Sequence, residues 1–442
     1  MRKLMLAALS LPFLAAPAAS QTGAAEAFTL SGEGGRVVVA GYEIDAEQIR
    51  IPETGGVTLS GATLTRPGRD GHVLIRQLEM PDTALLGRML DPLATCDPAE
   101  ARSGVLTARD VRFRPDSDLG VPGGQEEIRI PLLTVDLSLI GCSWRASGSA
   151  DAVVISGVDG SRIDVTTIEG RFRLSGPELR EVDARLDFFG VSLTGVDGPG
   201  GVRFEEAGLS VTGDLSGSGL PALIRSGAPM PDLVSVAAKS VLRGGVYMRG
   251  AEIIPEIFLS QGDLKRTGLD ATGAVTGSAE ISAALEMGVF RFRSAADLTG
   301  LVSGEMVVSG TTPAPDGVAI PAAISGSVPL PAELIGLSLD RVTLRYEDLG
   351  IGQVVHHLSG RDPAELTSGL IGDRIERVAG RLPGGLPATV QSGWDAVLNL
   401  IRSGSGAVGL RPDKPFSLLE VAVSGMMGPA MASSRTGAWS EN

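Results

Sequence analysis

The chain has 442 residues, 60 of them glycine, with 43% hydrophobic and only 4% aromatic content and a net charge of -14. That length accommodates one large core or two ordinary ones, and glycine at about twice its usual ~7% share beside mostly aliphatic apolar residues suits many short strands and turns. The acidic balance repels phosphate backbones and anionic head groups over most of the surface, which disfavours nucleic acid and plain electrostatic docking on membranes.

In chain order, Arg2 and Lys3 precede an apolar run from Leu4 to Leu14 and the small residues Ala18 and Ser20. This is the pattern of a secretory signal peptide over 1–20, cleaved near Ser20, and it implies export to the periplasm. Pro12 and Pro17 interrupt the run, which is shorter than the ~20 residues of a spanning helix. No later stretch reaches that length, so no integral membrane span is expected in the mature chain. In an oxidising compartment Cys96 and Cys142 are a disulfide candidate, whose loop closure would contribute about 4 kcal/mol. The alternative is two separate buried thiols.

A pentapeptide recurs through the chain: large apolar, any residue, apolar, Ser or Thr, Gly. It occurs at Phe28–Gly32, Val57–Gly61, Val153–Gly157, Phe172–Gly176, Val191–Gly195, Leu209–Gly213, Met306–Gly310 and Val421–Gly425. Its two apolar positions share one face of a strand, and its glycine lets the backbone bend, so each copy is expected at a strand terminus. Four consecutive copies begin at 153, 172, 191 and 209 with further alternating stretches between them. Two strands per step gives an antiparallel meander. Around Ile128-Ile130-Leu132 and Val135-Leu137-Leu139 the alternation changes phase, as a bend or bulge requires. The expected fold is mainly β, an antiparallel meander forming a curved sheet, sandwich or groove, with a C-terminal helical hairpin.

The expected divisions are a β-rich meander over 21–215, a helical insertion over 216–250 and a β-rich continuation over 251–345. A helical hairpin over 346–410, a closing strand over 411–425 and a flexible tail over 426–442 follow. A further short helix is expected from Thr83 to Thr95, beside Cys96. In the hairpin, Asp362 caps a helix that begins at Pro363, with Glu365 at the capping-box position and Leu366, Leu370, Ile371, Ile375, Val378 and Leu382 on one face. After Pro383-Gly384-Gly385, a second stripe runs through Leu386, Val390, Trp394, Val397, Leu398 and Ile401.

The leader, the glycine-punctuated aliphatic strands and the helix pair after Val342-Thr343-Leu344-Arg345-Tyr346-Glu347-Asp348-Leu349-Gly350 together resemble AsmA-like and related uncharacterised periplasmic proteins of Gram-negative bacteria. The resemblance, one of texture over most of the mature chain, implies a curved sheet whose apolar face shelters lipid chains. Many such proteins keep an N-terminal membrane anchor, and the cleavable leader of this chain departs from them there.

A search for chemistry returns no catalytic, cofactor or metal motif. His72 opens a strand after an Asp-Gly turn, and His356-His357 are neighbours between strand and helix that cannot form the i, i+4 pair of a helical metal site. The acidic pairs Glu126-Glu127, Glu205-Glu206 and Glu347-Asp348 sit where solvation or helix capping explains them. Arg291 and Arg293 flank Phe292 on a two-faced strand with a basic outer edge, a solvated face whose functional reading is contact with an anionic head group. Three readings follow. The first is a non-enzymatic exported envelope protein sheltering or transferring a lipid or other amphiphile along an apolar sheet face. The second is a structural scaffold that binds envelope proteins, and the third is a carbohydrate-active hydrolase using paired carboxylates.

Overall fold

The computed structural model describes residues 35–39, 42–50, 56–65, 71–81, 85, 97, 99–114, 127–157, 160–175, 180–194, 201–218, 239–255, 259–269, 273–312, 338–372, 388–410, 416–417 and 439–441. Over these the fold is the expected mainly β antiparallel meander with helices toward its C-terminal end. The chain divides into two compact units, Met1–Pro231 and Asp232–Asn442.

In the first unit, β1 (Gly35–Val39), β2 (Tyr42–Arg50), β3 (Val57–Thr65), β4 (His72–Met80), β5 (Ala101–Arg114), β6 (Glu127–Ile140), β7 (Ser143–Ser156), β8 (Arg162–Ser175), β9 (Glu181–Thr194) and β10 (Val202–Asp214) each pair antiparallel with the next. Strands β5 to β9 run 14 residues each, or about 46 Å if straight. They are not straight. In every strand from β2 to β10 the inward apolar spacing slips once from two residues to three: Ala46/Ile49, Leu59/Ala62, Ile75/Leu78, Ala108/Val111, Ile130/Leu133, Ala150/Val153, Val165/Ile168, Phe188/Val191 and Phe204/Ala207.

The slips lie in lateral register, with Ala46 opposite Ala62, Ile75 opposite Val111, and Val165 opposite Val191. Together they form a crease running across nine strands. Its backbone signature is left-handed residues in alternate strands: Gly61 (φ 59°), Asp110 (φ 49°), Ala152 (φ 53°) and Gly190 (φ 60°). A left-handed residue turns the pleat over, so positions three apart face the same side. Because neighbouring strands slip together, the hydrogen-bonding register survives.

Residues on both sides of the crease, such as Leu59 and Ala62 or Val165 and Ile168, enter one core cluster that also takes in Leu106, Leu137, Trp144 and Leu174. A flat single layer leaves one face in water; creasing the sheet gathers both arms around a common core. The outward face is solvated and laced with ion pairs such as Arg114–Glu127 and Arg185–Asp187. Leu85, helical and 1% exposed, joins the core; the rest of the helix expected over Thr83–Thr95 lies outside the described residues. Cys142, in the turn between β6 and β7, is disulfide-bonded, and the other cysteine of the chain, Cys96, lies outside the described residues.

The pentapeptides at Val153, Phe172, Val191, Leu209 and Met306 fall at the ends of β7, β8, β9, β10 and a strand of the second unit. The copy at Val57 departs from expectation. It opens β3, and its Gly61 lies inside the strand on the crease, where a Cβ would approach the Glu47 side chain to 2.5 Å. The copies at Phe28 and Val421, like the leader over 1–20, lie outside the described residues.

In the second unit, β11 (Val241–Ile253), β12 (Val275–Glu286), β13 (Val289–Leu298), β14 (Val302–Thr311) and β15 (Ser338–Asp348) form a second antiparallel meander. Strand β15 continues into β16 (Ser405–Leu410) and, at its start, β17 (Phe416–Ser417), while β16 also pairs with β18 (Trp439–Glu441). The helices are α1 (Gln261–Thr267), α2 (Ile351–Ser359), α3 (Pro363–Thr367), which runs on into a π turn at Ser368–Gly372, and α4 (Ala388–Ser403).

Several expectations are corrected here. The helical insertion over 216–250 ends as strand: β11 begins at Val241; residues 219–238 lie outside the described set. The continuation over 251–345 contains α1, capped by the Ser260 hydroxyl accepting from the Asp263 amide at 3.2 Å and closed by left-handed Gly268. The region 346–410 is not a simple hairpin, since α2 precedes it and β16 ends it. The Asp362 cap is as expected, its carboxylate accepting from the Ala364 amide at 2.7 Å. Within 411–425, Phe416–Ser417 does join the sheet. The tail over 426–442 contains β18, whose Leu410–Trp439 and Val408–Glu441 pairings bind it to β16.

Candidate ligand-binding faces of the second sheet

Strands β12 to β14 alternate cleanly, while β11 slips between Met248 and Ala251 around left-handed Gly250 (φ 56°) and the β14–β15 register shifts beside Ser309; away from those points register decides which residues share a face. On one face Val246, Ile281, Ser294, Met306 and Leu344 stand in a transverse row, followed by Ala283, Phe292, Val308 and Val342, and then Leu285 beside Phe290. Ser294 is the one polar residue among them. The Phe290 ring lies against Gly310, where a Cβ would meet it at 2.7 Å, so a glycine there seats the aromatic ring over the neighbouring strand.

Helices border this apolar face without covering all of it. α4 lays Ala396 and Leu400 against Leu344, Tyr346 and Val408. At another border, Leu264 of α1 and Val354 of α2 pack with Leu298 and Leu301. Burial under α4 pushes the Tyr346 phenol above its ordinary range, and the Asp348 charge adds to the rise. Between these borders Ile281, Leu285, Phe290, Phe292 and Val308 stay half-buried, and Met306 is 37% exposed.

The opposite face is polar and holds a hollow of about 910 Å³. Its floor is of small residues, among them Ala295, Ser303, Gly304 and Ala407, and its walls are charged. Across β12 to β15 runs a ladder: Arg293 reaches Glu280 at 3.3 Å and Glu305 at 2.7 Å, and Arg345 stands 3.7 Å from Glu305. On β11 the Arg249 guanidinium lies 4.8 Å above the Tyr247 ring, a cation–π contact. The hydrogen bond from Arg293 holds Glu305 below the ordinary carboxylate range and raises Arg293 in return. A glycosidic general acid needs the opposite displacement.

The residues singled out from sequence take mostly structural positions. His72 opens β4 opposite Thr65 and Arg114. His356 and His357 lie within α2, not between strand and helix as expected, both exposed with rings 6.2 Å apart. No group of three metal-binding side chains occurs among the described residues. Glu127 pairs with Arg114, and Glu126 lies outside the described set. Asp348 caps α2 by accepting from the amides of Gly350 and Gly352 at 2.8 and 3.0 Å. Glu347 lines the polar hollow and Glu205 stands exposed on the crease row. Arg293 is committed to its ladder, so the basic edge read from Arg291 and Arg293 is half neutralised. Sequence reasoning missed Glu280, Glu305, Arg345 and Tyr247, which come together only once the register of four strands is known. Comparison of the chain with protein families, with characterised proteins and with solved structures returns no match.

Proposed function

We propose that this is a non-enzymatic cell-envelope protein, exported to the periplasm, that shelters an amphiphile along the apolar face of its second sheet. One observation carries the reading: the apolar rows of β12 to β14 stay half-buried, with Met306 37% exposed, whereas most inward apolar positions of β2 to β8 are buried. Leaving several large aliphatic and aromatic side chains half-solvated forgoes roughly 1 kcal/mol each, a standing disadvantage that an acyl chain laid along the trough would remove. Helices α4, α1 and α2 wall the trough, and the polar ladder on the reverse face keeps that side in water.

The test is native mass spectrometry of the full protein purified without detergent from the periplasm of a Gram-negative host, with extraction of bound molecules. A stoichiometric amphiphile is expected, and Met306→Asp should abolish it while leaving the melting profile intact, because that side chain already meets solvent. A clean apo mass would sink the reading and leave the scaffold function, in which a protein partner covers the same face.

A further inference from the structure

The hairpin joining β12 to β13 turns through Met287 and Gly288, both at positive φ (50° and 84°). Gly288 suits that conformation, whereas methionine is an uncommon choice for it. Met287 is also 66% exposed, the most exposed large apolar residue among those described, and Val289 beside it is 40% exposed. A solvated turn would ordinarily carry Asn or Asp at the first position.

The apolar face runs out to this same end, where Leu285 pairs with Phe290 next to the turn. Just inside the tip on the polar face, Arg243, Ala284, Arg291, Ser309 and Arg341 form one transverse row. The three arginines sit on alternate strands, about 10 Å apart. Glu286 is paired with Arg243 at 2.7 Å, and Asp340 keeps one carboxylate oxygen shielded from water. Arg341 donates only to the Thr343 hydroxyl among the described residues, and Arg291 has no ion pair there. A protein of net charge -14 thus presents a local cationic row behind an exposed apolar tip. With screening over about 8 Å at physiological salt, that local row, and not the distant net charge, governs what the tip meets.

We propose that the Met287 hairpin is a docking tip for an anionic lipid surface, with Met287 and Val289 entering the acyl boundary while Arg291 and Arg341 meet the head groups. The proposal rests on the amphiphile reading above and adds to it where the apolar face opens to a membrane.

The experiment is flotation of the full mature protein with vesicles of phosphatidylcholine alone or with about one-third phosphatidylglycerol, an anionic fraction large enough to reveal a per-arginine effect of about fivefold. The wild-type chain is expected to float with the anionic vesicles and to be released by salt. Met287→Asp, which suits the left-handed turn and so keeps the fold, should abolish capture. The double variant Arg291→Gln/Arg341→Gln should weaken capture by more than tenfold. Absence of flotation, capture insensitive to both variants, or equal capture by neutral vesicles would each overturn the docking tip. The two readings fail separately: amphiphile retained without flotation removes only the tip, and flotation without a bound amphiphile removes only the sheltering face.

Discussion

Strands β3 to β9 of the first unit and β12 to β15 of the second are written in the same aliphatic, glycine-punctuated alphabet, yet they manage their apolar faces differently. In the first unit each strand from β2 to β10 slips phase once at a shared row, and the crease lets the sheet bury its own inward side, with Val57, Leu59, Val153, Val165 and Val191 each 1% exposed. In the second unit the alternation of β12 to β14 runs on without such a slip, the sheet stays two-sided, and among the described residues helices pack at its borders. The difference is not one of hydrophobicity. It lies in how a backbone device recurs: left-handed residues in register on β3, β5, β7 and β9 turn an open sheet into a self-covering one, whereas in the second sheet the device appears at Gly250 of β11 and not in β12 to β14.

Core truncation should expose this contrast most strongly. Leu59→Ala removes a fully enclosed side chain and is expected to cost about 3 kcal/mol, within the usual 2–5 for such changes. Ile281→Ala, on the half-buried face, should cost about 1 kcal/mol, since part of that side chain already meets water. Urea unfolding of each variant measures both. Equal losses would mean that the second sheet is as well covered as the first and would break the comparison.

The crease itself makes the next prediction. Gly190 sits at φ 60°, and a Cβ there would lie 2.4 Å from the Thr166 hydroxyl, which itself donates to the Gly190 carbonyl at 3.3 Å. Gly190→Ala is therefore expected to cost about 2 kcal/mol or more, the left-handed penalty plus displacement of Thr166. Ala152, two strands away at φ 53°, already bears that penalty, so Ala152→Gly should stabilise the unit by up to about 1 kcal/mol even though it frees the unfolded chain. Gly304→Ala in the second sheet, where φ is ordinary and the nearest atom would be 3.5 Å away, should be nearly neutral. Thermal unfolding of the three variants sharpens or removes the claim that the crease sets the backbone of the first sheet apart from that of β12 to β14.

Much of this architecture is readable from the chain. The two-residue alternation gives the strands, the phase change near Ile130 and Leu133 marks one point of the crease, and the Asp362-Pro363 pair starts a helix where it should. The same three-residue interval is written at Ala46/Ile49 and Val165/Ile168, but a single slip looks like noise until register aligns nine of them. Helix α1 carries its own cap, Ser260 with Asp263, and its own stop, Gly268; the surrounding strand texture hides them. α2 has the β-branched pair Val354-Val355 and a glycine at its N-cap, its capping carboxylate being displaced two residues upstream to Asp348, so it reads poorly as a helix. The candidate faces are legible only in part. Alternation shows that β13 has an apolar side and a basic side, but whether the apolar side is covered depends on elements distant in sequence, and the Glu280–Arg293–Glu305–Arg345 ladder exists only through pairing.

That ladder yields the smallest expected effect and the most direct contrast between the units. Glu305 has its carboxyl held below its unfolded value by the Arg293 hydrogen bond, and Asp263 is held down by the Ser260 hydroxyl and then by Arg266. A carboxyl depressed in the folded state stabilises above its unfolded value, near 4, and that contribution is lost as pH falls through the folded value. Both groups are solvated, so the loss is modest and salt-sensitive. In the first unit Asp214 is held down by Ser216 at the end of β10, away from the buried rows. Lowering the pH from 7 toward 3 should therefore raise amide exchange in β12 to β15 more than in β5 to β9. Glu305→Gln should show raised exchange in β13 to β15 already at pH 7 and little further change on acidification. Equal acid sensitivity in the two sheets would show that the second is held by its apolar rows after all.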